Sequence, residues 1–206
     1  MLSGSLNSCA SFAATEPKII GVTMSLFLPE GYEVRDTPEY YDDSENTDNW
    51  QREVYILARK LAEKLGIEHV YDYGCGSGYK LVSNFSGSGL AFCGVDLPPT
   101  VSFLRETYPY YPWLSVNEFK FTSLHSKSML ICSDVIEHMQ DPNSFLESLA
   151  SSCVGVVVFS TPARELLVLS GQTPELGPPT NKSHCCEWTC LEFNKYIKQY
   201  FDITEH

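Results

Sequence analysis

The stretch Val70-Tyr-Asp-Tyr-Gly-Cys-Gly-Ser-Gly78 decides how this chain is read. With His69 in front of it, the run to Tyr73 has the short apolar character of a strand, and it passes straight into a loop that is glycine at 74, 76 and 78. Glycine lets a backbone turn sharply, and its bare face leaves room for a ligand where a side chain would intrude. A brief helical pattern through Leu81, Val82 and Phe85 follows. The order is strand, glycine loop, helix, with exposed amides at the helix start as extra donors. The loop is not G-x-G-x-x-G, because Tyr79 stands where the third glycine would fall. Nor is it a P-loop, since Lys80 is followed by Leu81 rather than Ser or Thr. A nicotinamide oxidoreductase is therefore disfavoured.

Working toward the carboxyl end, Leu90 to Leu97 is a second apolar run that contains Asp96, 24 residues after Asp72. A carboxylate at that strand end accepts two hydrogen bonds from the hydroxyls of a ribose. Pro98, Pro99 and a helical stretch with Val101, Leu104 and Tyr108 come next. A weaker third strand is expected around Leu114 to Phe119, a strong fourth over Ser128 to Ser133 and a Val-rich fifth over Val154 to Ser160. Between the last two, Asp141 as cap and Pro142 at the first position open a helix that buries Phe145, Leu146 and Leu149. Pro162 to Lys182 holds four of the twelve prolines and reads as a long excursion at the carboxyl edge. A last helix over Trp188 to Tyr200 and a short strand over Phe201 to Thr204 complete the pattern. Alternation of this kind predicts an α/β, doubly wound, mostly parallel sheet with helices on both faces.

Toward the amino end, Trp50, Val54, Leu57, Ala58, Leu61 and Leu65 share one helical face, after Thr47 and Asp48 as possible caps and before Gly66 as a stop. Gln51 and Glu53 are polar residues at the start of this helix with less reason to face a core. Residues 1–47 are assigned to a flexible leader and acidic arm, and 48–206 to the folded domain. Glu39, Asp42, Asp43, Glu45 and Asp48 mark the arm as solvated, whereas Tyr32, Tyr40 and Tyr41 fit a lid instead.

The 206 residues, 43% hydrophobic and 19% charged, suit one globular domain and exclude wholesale disorder. A formal charge of -12 repels polyanions, so nucleic acid is not expected as a partner and a neutral or cationic small molecule is. No membrane partner is expected, because no window approaches the roughly 18 to 20 apolar residues of a spanning helix. The 23-residue Ser- and Ala-rich start lacks the features of a signal or transit peptide. Cys75, Cys93, Cys132 and Cys153 sit in or beside strand-like runs, which favours reduced core thiols and a cytoplasmic home.

With these residues in place, Val70 to Gly78 resembles the first motif of class I S-adenosylmethionine-dependent methyltransferases, and Gly94-Val-Asp-Leu97 the acidic motif after strand two. Ser133-Asp-Val-Ile-Glu-His-Met-Gln-Asp-Pro142 resembles the fourth-strand motif of the small-molecule branch that includes the ubiquinone-biosynthesis O-methyltransferases. The resemblance implies S-adenosylmethionine as cofactor, with Asp72, Gly74, Cys75, Gly76 and Gly78 at its methionine end. It implies Asp96 at the ribose with Leu97 beside it, Asn117 or Glu118 facing the adenine, and Asp134 beneath the sulfonium. His138 is the first candidate base, or it fixes the strand-to-helix turn with Glu137. His184 is the second, within a substrate-side element that includes Asn181, Glu187 and Trp188. Where that element is expected to carry a branched apolar residue and an arginine, this chain has Cys185 and Cys186. No metal is expected: some ubiquinone-pathway relatives associate one with positions matching Asp134, Glu137 and His138, but no further ligand is evident. Zinc at His184, Cys185, Cys186 and Cys190 is set aside, because the spacing is not that of paired C-x-x-C sites. The family sheet has a seventh, antiparallel strand between the fifth and sixth, and this chain is expected to lack it. The implied activity is methyl transfer to a small-molecule or carbohydrate-like acceptor. The alternative is an S-adenosylmethionine-binding protein without turnover.

Overall fold

Strand-forming runs rich in Val and Ile alternate with amphipathic helices, and the sheet they build fixes where a ligand can enter. The computed structural model describes residues 9–17, 25–47 and 50–205. The strands are β1 (Cys9–Pro17), β2 (His69–Tyr73), β3 (Ala91–Asp96), β4 (Trp113–Ser115), β5 (Ser128–Ser133), β6 (Val156–Pro162) and β7 (Phe201–Glu205). The helices are α1 (Arg52–Leu65), α2 (Tyr79–Phe85), α3 (Pro98–Thr107), α4 (Pro142–Ala150), α5 (Arg164–Leu169) and α6 (Cys190–Ile197). The sheet order is β4-β3-β2-β5-β6-β1-β7. Neighbours from β4 to β6 are parallel.

Successive side chains of the central strands serve opposite faces, as the two-residue period requires. Met129 and Ile131 of β5, with Val156 and Val158 of β6, pack under Val54, Ala58, Leu61, Leu81 and Leu104 of α1, α2 and α3. Leu130 and Cys132, with Val157 and Phe159, pack under Phe145, Leu146, Phe193, Tyr196 and Trp188 on the other side. Burial on both faces is why these strands are near-continuous apolar runs. The chain winds outward from β2 to β4 and then returns to β5 beside β2, so crossovers diverge between β2 and β5. A crevice opens there, beyond the carboxyl ends of the strands.

The amino-terminal region departs from the sequence reading. The family's antiparallel strand was expected to be missing, and this is corrected: the place between the fifth parallel strand and the last is filled. β1 lies there antiparallel to both neighbours, with Ala13 opposite Val158 of β6 and Ala14 opposite Ile203 of β7. The assignment of 1–47 to a flexible leader is therefore corrected for Cys9–Pro17, whose backbone groups complete two ladders. Residues 1–8 and 18–24 of that leader, the proposed cap Asp48, and His206 lie outside the described residues.

Residues 25–47 form an extended strap across the carboxyl edge. Leu26, Leu28 and Tyr32 pack against the core. The Trp188 indole donates to the Leu26 carbonyl at 2.8 Å, and the Arg35 guanidinium donates to the carbonyls of Pro179, Asn181 and His184 at 2.7, 2.9 and 3.2 Å. α1 starts later than its apolar pattern suggests, because Gln51 takes a left-handed conformation (φ 63°) and leaves Trp50 outside the helix, exposed. α4 has its Asp141 cap as expected, and Gly66 ends α1 with φ 65°. The excursion after Pro162 contains α5, and Cys153 is exposed rather than in the core. Cys75, Cys93, Cys132, Cys153, Cys185, Cys186 and Cys190 are free thiols.

Candidate functional site

β2 delivers the glycine loop to the crevice, and β3 latches it. The Gly74 amide donates to the Val95 carbonyl and the Gly76 amide to Asp96 Oδ2, both at 2.8 Å. All three glycines have positive φ, at 79°, 50° and 68°. Their bare faces serve different ends. A Cβ on Gly74 would strike Val135, and one on Gly78 would lie 2.8 Å from both Leu104 and Trp113. The expectation that each glycine makes room for ligand is thus corrected for 74 and 78, where it is protein packing that leaves no space. At Gly76 the space is occupied by the carboxylate of Asp43, which the strap lowers onto the loop.

Three acids surround this loop. Asp96 Oδ1 accepts from the Leu97 amide at 2.7 Å, and each carboxylate oxygen keeps a second acceptor direction. Burial raises its pKa despite the two amides. Asp72 is fully buried and accepts from the Tyr55 hydroxyl at 2.9 Å, while its Oδ1 has no hydrogen-bond partner. Burial pushes Asp72 up to about 7 against the pull of Tyr55 and Lys80. Asp43 is raised by burial and then by the neighbouring Asp96.

One cavity of about 890 Å³ joins this end to the acceptor side. Gly74, Cys75, Asp96, Leu97, Asp134, His138 and His184 all border it. Asn117 and Glu118 are not brought to its wall. The Glu118 carboxylate accepts from the Ser115 amide at 2.7 Å and pairs with Arg105 at 3.1 Å, and Val116 borders the cavity in their place. Gln51 and Trp50 border it as well, whereas Glu53 is exposed.

At the far end, Asp134 follows β5 with φ 53° and accepts from the Ser160 hydroxyl at 2.8 Å. A 3-10 turn over Ile136–His138 then presents Glu137 and His138. His138 Nδ1 lies 2.9 Å from the Ser183 carbonyl, which fixes the Nδ1–H tautomer and leaves Nε2 as an acceptor. Its ring stacks on Tyr41 at 5.9 Å and meets His184 edge-on at 4.7 Å. Burial, followed by the adjacent His184, pushes His138 down to about 4. His184 Nδ1 lies 2.7 Å from Glu187 Oε1, and its Nε2 lies 3.0 Å from the Asn181 amide nitrogen. A histidine whose Nδ1–H is held by a carboxylate presents Nε2 as a base or a ligand.

The sequence reading found no further ligand beside Glu137 and His138, and this is corrected. One donor atom each from Glu137, His138 and His184 lies within 4.8 Å of the others. Glu137 is fully buried, and neither carboxylate oxygen has a hydrogen-bond partner. The cysteines take no part: the Cys185 thiol donates to the His138 carbonyl at 3.4 Å. Sequence reasoning missed Asp43 at the glycine loop and Tyr41 on His138. The acidic and aromatic mixture at 39–43 was the one signal of it.

Residues 51–205 match a family described as a methyltransferase domain. No curated protein matches the chain. Among solved structures, the methyltransferase domain of bacterial CtHen1 is 17% identical, with a TM-score of 0.56 over 74% of this chain and 84% of that one. The methyltransferase in complex with the Haloferax volcanii Trm112 activator is 16% identical, with a TM-score of 0.53 over 78% of this chain and 76% of that one. The plantazolicin methyltransferase BpumL, solved with a substrate analogue and S-adenosylhomocysteine, is 14% identical, with a TM-score of 0.57 over 76% of this chain and 65% of that one. At these identities the likeness is one of fold.

Proposed function

The chain belongs to the methyltransferase domain family, and from that premise we propose that it moves a methyl group from S-adenosylmethionine to a small-molecule acceptor, carbohydrate-like compounds included, by in-line displacement. The observation that carries this reading is the single cavity bordered at one end by the glycine loop and Asp96 and at the other by His138 and His184. The residues fit the cofactor. Three carboxylates, one with an unpartnered buried oxygen, suit a ligand that carries two cationic groups. Asp96 and Leu97 hold the ribose and adenine side, and Asp72 steadies the methionine end from beneath the loop.

The cofactor supplies an electrophilic methyl on a sulfonium, so the chain's own task is alignment and proton removal. His184, held by Glu187 through Nδ1, takes the acceptor's proton at Nε2 once the acceptor displaces the Asn181 amide that donates to that atom at 3.0 Å. His138, neutral at physiological pH, orders the same wall together with Tyr41. The strap and Trp50 exclude water. The acidic surface disfavours nucleic acid as acceptor, and the buried thiols suit the cytoplasm. No helix among the described residues is long and apolar enough to cross a membrane.

A second reading of the acceptor end is favoured by the bare Glu137 carboxylate. Glu137, His138 and His184 would hold a divalent ion such as zinc or manganese, which polarises an acceptor oxygen. Elemental analysis of the purified protein and loss of turnover on chelation distinguish it from the metal-free base.

Calorimetry with S-adenosylmethionine and S-adenosylhomocysteine, followed by transfer of labelled methyl across an acceptor panel, tests the main proposal. Binding followed by transfer is expected, and His184→Asn should lower kcat with the cofactor Kd unchanged. Absence of cofactor binding overturns the reading. Binding with no transfer to any acceptor favours a binding protein without turnover.

A further inference from the structure

Asp43 sits where the cofactor reading has no assigned role for it. The strap is fixed just before this residue: the Tyr40 hydroxyl lies 3.3 Å from Thr100 Oγ1 at the start of α3, and Tyr41 stacks on His138 at 5.9 Å. A turn in which the Asn46 amide donates to the Asp43 carbonyl at 2.8 Å sets its backbone. The side chain is thereby laid against the bare face of Gly76. We propose that Asp43 takes the α-ammonium group of the cofactor's amino-acid end, closing from the strap the loop that Asp72 supports from beneath. This rests on the S-adenosylmethionine reading above.

The chemistry of the neighbourhood selects that group. Asp96 raises the cost of ionising both Asp43 and Asp72, Asp43 adds to that of Asp72, and Lys80 is the cation that acts on both Asp43 and Asp72. Asp72 Oδ1, wholly buried, has no partner. A ligand group that brings positive charge and several N–H donors offsets the crowding of Asp43 by Asp96 and, at longer range, that of the buried Asp72, whereas the carboxylate of the same amino-acid end is repelled. Asp96 is already committed on each oxygen to a backbone amide at the end of β3, the ribose side. Asp43, against Gly76 on the wall of the same cavity, is the acid left for the amino-acid end.

Two ligands separate this role from its competitors. S-adenosylhomocysteine carries the amino-acid end, and 5′-methylthioadenosine has the same nucleoside and thioether without it. In the full chain, Asp43→Asn and Asp43→Ala should weaken S-adenosylhomocysteine by about tenfold or more and leave methylthioadenosine within about twofold, by calorimetry. Equal loss for both ligands overturns the inference in favour of a ribose contact. Unchanged or tighter S-adenosylhomocysteine overturns it in favour of a plug over an empty loop. Wild-type protein that binds neither ligand would sink the cofactor reading itself, a result distinct from either. Hydrogen exchange on the wild type needs no variant to fold: S-adenosylhomocysteine should protect residues 38–47, and methylthioadenosine should not. Equal protection by both ligands counts against Asp43.

Discussion

The sequence pattern places both Asp96, the last residue of β3, and Asp72, one residue before the end of β2, at the carboxyl edge of the sheet. Asp96→Ala should weaken cofactor binding by roughly 1 to 3 kcal/mol if two ribose hydrogen bonds are lost, and unchanged affinity in calorimetry would remove that assignment. Part of the loss will be indirect, since Asp96 also ties the Gly76 amide at 2.8 Å. Asp72 gives a prediction in pH. Burial lifts it from 3.8 unfolded to about 7 folded. The folded state then holds a proton that the unfolded chain releases, so this contribution to stability is fully present below pH about 4 and is lost as pH rises through about 7. Asp72→Asn keeps an acceptor for Tyr55 and does not titrate. Relative to that variant, the wild type should lose stability between pH 4 and 7, by on the order of a few kcal/mol, with little further change above pH 8. A constant difference across the window in urea denaturation would contradict the raised value. Asp43 was illegible at this scale, because its meaning depends on a contact with Gly76, far along the chain, that no local pattern encodes.

Strands and helices were readable in proportion to how far local pattern and tertiary context agree. β5 spans the same residues, Ser128–Ser133, in sequence and structure because all six positions are buried between two helical layers. β1 escaped for the opposite reason. Cys9–Pro17 has a Ser/Ala character with little strand propensity, and the slot between β6 and β7 imposes the conformation. Ala13 is wholly buried in that slot. Ala13→Asp should therefore cost about 3 kcal/mol or more by placing an unpaired carboxylate in the core; denaturation within 0.5 kcal/mol of the wild type would show that β1 does not complete the sheet in solution. α6 depends on another long-range tie. Its amino end is closed locally by a capping box at Thr189, and Arg164 Nη2 ties it at long range by reaching both Glu192 carboxylate oxygens at 2.7 Å. Arg164 is 4% exposed and also covers the Tyr32 ring of the strap. Arg164→Ala should destabilise the fold by about 3 to 5 kcal/mol, since it strands a poorly solvated carboxylate. A loss below about 1 kcal/mol would place the pair among ordinary surface bridges.

The charge of -12 is a property of the whole molecule, and it acts on whatever approaches the cavity. S-adenosylmethionine arrives with a sulfonium, an ammonium and a carboxylate, a net charge of about +1 at neutral pH, and S-adenosylhomocysteine leaves without the sulfonium charge, near zero. The protein's field therefore favours the substrate form over the product form at the same site, before any contact distinguishes them. Local acids sharpen this, because Asp43, Asp72 and Asp96 sit in low dielectric at the cofactor end, where charges are screened less. Raising salt from 0.1 to 1 M shortens the screening length from about 10 to about 3 Å. The long-range part should fade while the contacts to the loop remain. The association rate for S-adenosylmethionine should then fall severalfold by stopped-flow fluorescence, using the Trp50 that borders the cavity as reporter, while the rate for S-adenosylhomocysteine changes little. Equal salt dependence for the two ligands would mean that the surface charge does not reach the crevice, and that any preference for the cation is made entirely by the three acids at the loop.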